Sequence, residues 1–362
     1  MRFPYAPFIP RICAGLLLAF AATSMLSAED VAPVEHDYVI HDYRFVSGAS
    51  LPEVRIHYTT LGQVQRDAKG VVRNAVLILH GTGGTGHQFL IPNFAGVLFA
   101  RGGLLDTTRY FIILPDNVGH GQSSKPSDGL HAHFPNYDYD DMVNLQHRLV
   151  RDGLGINHLL LVMGTSMGGM QTWMWGERWP DFMDGLVPLA SLPTQIAGRN
   201  RVWRKMIIDD IRNEPEWNHG EYAHQPRCIV DAAHLLMLLG SAPLQWQKEA
   251  PTRDEADRWL ATQVSSRTAK VDANDMLYYI DASRSYDPSP ALERITAPLL
   301  AINSADDEIN PPELGIMEKL IPRLKHGRYV LIPISDQTRG HGSHSWPALW
   351  QAYLKEFLSA LR

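Results

Sequence analysis

The stretch that most constrains the fold is Leu159–Met163, an apolar run of strand length that passes directly into Gly164-Thr165-Ser166-Met167-Gly168-Gly169 and then into a helical pattern beginning near Met170. A strand that turns at once into a helix, with glycines on both sides of a serine, holds that serine in strained backbone geometry because neighbouring chains pass too close for a Cβ. The serine side chain and the helix N-terminus then face one spot. Such a turn belongs to a chain of alternating strands and helices, and the sequence supplies the others. Val76–Leu79 and Tyr110–Leu114 are similar apolar runs, each ending in a Gly-rich or Asp-containing turn, and Leu186–Leu189, Leu299–Ile302 and Tyr329–Ile332 repeat the signal. Short apolar runs separated by helix-length stretches are buried parallel strands, so the expected class is α/β, a mostly parallel, doubly wound sheet with right-handed crossovers. Tyr38–Tyr58 instead alternates polar and apolar residues around Gly48 and Pro52, as an edge hairpin does.

Between Pro193 and about Arg294 the strand signal stops, and Trp, Arg and helix-period apolar residues take its place. This segment reads as an inserted helical cap, residues 193–294, dividing a core made of 29–192 and 295–362. Within it, Arg199–Ile211 carries Val202, Trp203, Met206, Ile207 and Ile211 at amphipathic spacing, and Ile229–Leu239 is apolar nearly all round. The tryptophans here either line an acyl pocket or pack the cap onto the core.

The amino-terminal residues read as an address. Met1–Arg11 has two arginines and no acid, and the apolar run Ile12–Ala22 is about half the roughly 20 residues that span a bilayer. Thr23, Ser24, Ser27 and Ala28 follow. The expectation is a signal peptide over 1–28, cleaved near Ala28, with a periplasmic or secreted mature protein and no stable membrane span after removal. Leu26 at the third position before the cut favours the alternative of an uncleaved anchor. Across the 362 residues, 33 Lys+Arg against 39 Asp+Glu give a net charge of −6, leaving no positive field for a nucleic-acid partner. Cys13 and Cys228 are too few and too far apart for a disulfide framework or a cysteine-ligated zinc site.

A serine hydroxyl attacks well only when a base takes its proton and an acid orients the base, and with this turn the chain order is Ser, Asp, His. After Leu299–Ile302 comes Asn303-Ser304-Ala305-Asp306-Asp307-Glu308, and after Tyr329–Ile332 comes Gly340-His341-Gly342-Ser343-His344. Ser166, Asp307 and His341 are the expected triad, with Asp306 and His344 as alternates. Two backbone donors must hold the oxyanion: Met167 supplies one, and Thr82, in the Gly-rich turn His80–Gly84 after an early strand, is chosen for the other. That turn lacks GK[ST] and GxGxxG spacing, and His131 and His133 have no third ligand at a recognised spacing, so neither cofactor nor metal is expected.

Further motifs make the chain resemble the homoserine O-acetyltransferase family of α/β-hydrolases from about Tyr38 to the C-terminus. They are Asp141-Met142-Val143 with Gln146, the extended elbow Ser166–Gln171, Pro215 through Trp217 and Gly220 to Tyr222, Asp272-Ala273-Asn274 with Leu277-Tyr278, Tyr286-Asp287, Asp307 with Pro311-Pro312, and Gly340-His341. The resemblance implies an α/β-hydrolase fold, the triad Ser166, Asp307 and His341, a helical cap, a homodimer through that cap, and Arg204 as a ligand for a substrate carboxylate. Two departures stand out. The family's aspartate after the catalytic histidine, suited to the homoserine ammonium, is here Gly342, and the glycine-rich stretch after Asn117-Val118 is altered. With a leader that takes the chain away from cytosolic acetyl-CoA, the first expectation is an exported serine esterase that cleaves small acyl esters through an acyl-enzyme. The alternative is a homoserine O-acetyltransferase-type, acyl-CoA-dependent transferase. A non-catalytic binding protein is opposed by retention of all three triad residues.

Overall fold

The structure is a computed structural model that describes residues 32–361; the expected signal peptide and Cys13 lie outside the described residues. Eight strands, β1 Val34–Arg44, β2 Ser50–Leu61, β3 Ala75–Leu79, β4 Phe111–Pro115, β5 Leu161–Thr165, β6 Leu186–Leu189, β7 Leu299–Ser304 and β8 Gly327–Ile332, form one sheet in the order β1-β2-β4-β3-β5-β6-β7-β8. The β1–β2 hairpin and its junction with β4 are antiparallel, and every other pairing is parallel. The central strands are buried on both faces, which is why their sequences are continuously apolar. Alternation still assigns each side chain: in β3, Leu77 and Leu79 face one helical layer, while Val76 and Ile78 face the other.

The helices are α1 Pro92–Leu98, α2 Tyr139–Arg148, α3 Met167–Arg178, α4 Gly198–Asn213, α5 Cys228–Gly240, α6 Pro243–Glu249, α7 Arg253–Thr268, α8 Ala273–Asp281, α9 Ile316–Leu320 and α10 Gln351–Ala360. α2 and α3 pack on one face of the sheet, and α1 and α10 on the other. Helices α4–α8 all fall between β6 and β7, and they place buried residues such as Trp203, Ile207, Ile229 and Ile280 in the same apolar cluster as α2 and α3. No single helix among the described residues is long and apolar enough to cross a membrane.

Local details differ from the pattern in the sequence. The helix after the serine begins at Met167, three residues before Met170, because Ser166 is itself the turn and the chain is helical from the next residue. In α4 the buried stripe is Trp203, Arg204, Ile207, Ile208 and Ile211, whereas Val202 and Met206 are 52% and 51% exposed. The helix is rotated so that Arg204, rather than those two apolar residues, faces inward.

Candidate active site

The elbow follows from close backbone approach. Ser166 has φ 54° and ψ −112°, a conformation an L-residue holds only when its surroundings enforce it. The glycines make that possible: a Cβ on Gly164 would overlap the Gly168 carbonyl, one on Gly168 the Leu79 carbonyl, and one on Gly169 the Leu189 carbonyl. The Ser166 N–H donates to Leu189 O at 2.9 Å, tying the turn to β6.

The other two residues arrive from the ends of β7 and β8. Asp307 is buried, and the N–H groups of Ile309 and Asn310 donate to its Oδ1 at 2.8 and 3.0 Å. Its Oδ2 lies 2.8 Å from His341 Nδ1, and His341 Nε2 lies 2.8 Å from Ser166 Oγ. With Nδ1–H donating to the carboxylate, Nε2 is left as the acceptor for the serine proton. Burial raises the Asp307 pKa, but the adjacent His341 and the two backbone donors outweigh it and hold the carboxyl below its ordinary value. Asp307 therefore stays ionised behind the imidazole.

The alternates do other things. Asp306 accepts from Gly340 N–H at 3.0 Å and from the Ser304 hydroxyl, so it fastens the loop that carries His341. His344 has its Nδ1 2.9 Å from Ser345 Oγ and its ring edge-on to His341, 5.3 Å between centroids. Burial, reinforced by His341, pushes His344 down to about 3, so it stays neutral at the cavity wall.

Thr82 and Met167 flank Ser166. The loop bearing Thr82 comes so near that a Cβ on Gly81 would lie 3.5 Å from the Ser166 Cβ. Neither the Thr82 nor the Met167 N–H is engaged by another group among the described residues. Two free donors beside the nucleophile are what a tetrahedral oxyanion requires. Gln88 holds this arrangement, accepting from Gly81 N–H at 3.3 Å and donating to Thr165 Oγ1 at 2.9 Å.

Beneath the elbow, Asn117, Gln146, Gln171 and Trp175 form a buried polar network. Gln146 Nε2 donates to Gln171 Oε1 at 2.7 Å, Trp175 Nε1 donates to Gln146 Oε1 at 2.8 Å, and the Asn117 N–H donates to His80 Nε2 at 2.9 Å. These residues brace the nucleophile helix from below and do not reach the reacting atoms. His120, in the altered stretch, stacks on Tyr279 at 5.1 Å, and burial, assisted by His80, lowers it to about 3.

Ser166 and His341 open into a cavity of about 380 Å³ walled by Thr82, Trp203, Arg204, Met276, Tyr279 and Ile309, with Arg267 also contributing. Among the described residues no Asp or Glu lines it. Arg204 is 2% exposed, donates from Nε to Asn200 Oδ1 at 3.0 Å and from Nη1 to Ser283 Oγ at 3.2 Å, and lies 4.5 Å from the Trp203 ring centroid. Burial lowers its pKa, and no carboxylate among the described residues pairs with it. A buried guanidinium without a counter-ion is costly unless a ligand supplies one. Of the cap tryptophans, Trp203 lines this cavity and Trp217 packs into the core, whereas Trp246 and Trp259 take neither expected role and line a separate surface groove. His131 pairs with Glu221 at 2.9 Å, and no group of metal-ligating side chains is assembled among the described residues.

Several contributors gave no motif. Asn310 donates from Nδ2 to Asp307 Oδ2 at 3.3 Å and to Ala190 O at 2.8 Å. Gln245, in α6, donates to the carbonyls of Asp336 and Thr338 at 2.8 and 2.9 Å, fastening the His341 loop to the helices above it. The only sequence hint was the short spacing from Asp307 to Asn310, which suits an Asx turn.

Comparison with known proteins bears on what this arrangement serves. Residues 74–333 match the family model described as alpha/beta hydrolase fold. The chain is 30% identical to a probable acyltransferase of Methanothermobacter thermautotrophicus, covering 79% of this chain and 87% of that protein. It is 31% identical to a homoserine O-acetyltransferase of Pelobacter propionicus, covering 82% and 88%. Among solved structures, an acetylester hydrolase from Corynebacterium glutamicum superposes with a TM-score of 0.78 at 22% identity, covering 90% of this chain and 96% of that one.

Proposed function

The chain belongs to the homoserine O-acetyltransferase-like family of α/β-hydrolases, and on that premise we propose that it is an acyltransferase which carries a short acyl group on Ser166 and delivers it to a small hydroxylated acceptor bearing a carboxylate. The observation that carries the acceptor side is Arg204, a buried cation paired with no carboxylate among the described residues, placed on the cavity that holds Ser166 and His341. The acceptor carboxylate is its missing counter-ion. Gly342 and the lack of any lining acid leave nothing to pair with an ammonium, which favours a hydroxy acid over an amino acid such as homoserine.

In the first half-reaction Ser166 Oγ attacks the acyl carbon as His341 Nε2 takes its proton. Asp307 stabilises the imidazolium, and the Thr82 and Met167 amides receive the oxyanion, each such donor being worth about 10²–10³ in kcat. The tetrahedral intermediate collapses, the proton on His341 passes to the departing alcohol or thiol, and acyl-Ser166 remains. In the second half His341 takes the acceptor's hydroxyl proton, the acceptor oxygen attacks the acyl carbon, and Ser166 leaves with its proton restored.

Water as the acceptor, which makes the enzyme an esterase, is the second reading. Gly342 favours it, since the group that would position an amino-acid acceptor is missing. The two readings separate on product. With p-nitrophenyl acetate as donor and a panel of hydroxy acids present, the transferase reading expects acetylated acceptor by mass spectrometry, saturable and absent in Ser166→Ala. Free acetate alone across the whole panel would leave the esterase.

Two proposals attend this one. Export rests on the Met1–Ala28 pattern and gives the enzyme esters, in place of acetyl-CoA, as donors; amino-terminal sequencing of the fractionated protein tests it. A homodimer through α5–α7 is supported by Leu238, Leu244 and Leu260, which are 61%, 48% and 43% exposed around the Trp246–Trp259 groove. Light scattering of wild type against Leu238→Glu reads that contact directly.

A further inference from the structure

Two cavities flank the triad and share a single side chain. One is the catalytic cavity. The other, of about 370 Å³, lies on the acid side, between the start of α3, the chain leading into α4 and the segment after Asp307. Met170, Leu192, Ile196, Leu314 and Ile316 give it an apolar wall, and Ile309 lines both spaces. Met170 is one helical turn from the nucleophile, its N–H donating to Ser166 O at 2.9 Å.

Ile309 is fixed from two directions. Its N–H donates to Asp307 Oδ1 at 2.8 Å, and its carbonyl accepts from Asn200 Nδ2 at 3.3 Å. The backbone therefore belongs to the catalytic acid on one side and to the first turn of α4 on the other, and what stands between the cavities is the side chain. Several polar groups at the second cavity are already engaged: Asn310 with Asp307 and Ala190, Asn200 with Arg204 and Ile309, and Arg199 with Glu308, while Thr194, Gln195 and Glu313 complete its polar lining. A space whose wall is mainly apolar and which borders the acylation site suits a hydrocarbon chain rather than a polar ligand.

We infer that Ile309 is the residue that sets acyl-chain length: it closes the catalytic cavity against the second, apolar cavity, which takes the tail of a longer acyl chain once that side chain is shortened. This rests on the acyl-Ser166 reading above. It adds a specificity-determining residue to the proposed reaction.

The test compares kcat/KM for p-nitrophenyl acetate and p-nitrophenyl octanoate in wild type, Ile309→Ala, and the double variant Ile309→Ala with Ala197→Phe, which adds bulk to the lining of the second cavity. Wild type is expected to prefer acetate. Ile309→Ala is expected to raise the octanoate-to-acetate ratio roughly tenfold or more, since even one methylene in an apolar pocket discriminates on that scale. Filling the second cavity is expected to cancel the gain. Acetate turnover reports that Asp307 is still in place, and if Ile309→Ala fails to fold, Ile309→Val must move the ratio in the same direction. An unchanged ratio in a variant that still turns over acetate overturns the inference, as does a gain that survives Ala197→Phe. Wild type that turns over neither ester and leaves Ser166 unacylated overturns the acyl-Ser166 reading, and the inference falls with it.

Discussion

Replacing Arg204 with methionine separates binding from stability, and the structure fixes the sign of each effect. The side chain is 2% exposed and keeps its charge on hydrogen bonds from Nε to Asn200 and from Nη1 to Ser283, both neutral partners. An unpaired buried charge opposes folding, so a methionine of similar length, packed against Trp203, is expected to leave Tm unchanged or to raise it. A residue that served only the fold would behave in the opposite way. On the substrate side, a hydrogen bond to a charged group contributes about 1.5–3 kcal/mol, so losing the carboxylate contact weakens the acceptor roughly 10- to 150-fold. The assay is acceptor-dependent decay of acyl-Ser166 together with turnover of a neutral ester, followed for wild type and Arg204→Met beside thermal unfolding. The expected result is a higher acceptor KM, unchanged neutral-ester turnover and a Tm no lower than wild type. A variant that unfolds early while binding the acceptor as before would refute the assignment.

Other perturbations follow from the same geometry. His341→Ala is expected to lose turnover by several orders of magnitude, whereas His344→Ala, with no contact to Ser166 or Asp307, is expected to retain most of kcat; a greater loss in the second variant reverses the assignment. Gly342→Asp restores a carboxylate beside His341, and a Cβ there meets nothing nearer than Arg339 Cβ at 3.8 Å, so homoserine should become a better acceptor relative to a hydroxy acid. An unchanged acceptor ratio would show that Gly342 does not set the preference. Glu177 is raised to about 8, first by burial and then by Asp287 against the opposing pull of Arg294, and its Oε1 is buried without a partner. The folded state holds this proton where the unfolded chain has released it, so stability falls as pH rises from the ordinary carboxyl range toward 8. Glu177→Gln should therefore match wild type near the ordinary carboxyl pKa and exceed it by about 1–3 kcal/mol above pH 8, read as a Tm difference that grows with pH.

What was legible in the sequence was whatever short-range pattern controls. The runs that became β3 to β6 were readable because a strand buried on both faces has no polar position to interrupt it, whereas β8, an edge strand with exposed Arg328, showed only its apolar part Tyr329–Ile332. The Ser166 turn was readable because its glycines are demanded by backbone contacts within a few residues and from the neighbouring strands. The order of strand ends pointed to the two loops, and the motifs Asp307 with Pro311-Pro312 and Gly340-His341 pointed to Asp307 and His341 within them; the hydrogen bonds place both in line with Ser166. Long-range polar placement was not legible. Gln88, Gln245 and Asn310 each act through two side-chain hydrogen bonds, most of them to atoms far away in the sequence, and a lone amide carries no periodicity to mark it. The rotation of α4 escaped for a related reason: the apolar count favoured Val202 and Met206, while the cavity and Asn200 hold Arg204 inward. An apolar stripe shows that a helix packs; it does not show which polar residue packs with it.

The most direct measurement is the lifetime of the covalent intermediate. Protein beginning at Glu29 is mixed with an acetyl ester, quenched at intervals and weighed intact, with and without a hydroxy acid that bears a carboxylate. The account predicts one acetyl group on Ser166, absent in Ser166→Ala, whose decay accelerates and saturates as the acceptor is raised, with acetylated acceptor as product. Decay at one rate whatever acceptor is present would contradict acyl transfer and leave hydrolysis, and an unacylated Ser166 in protein that still turns over the ester would contradict the nucleophile itself.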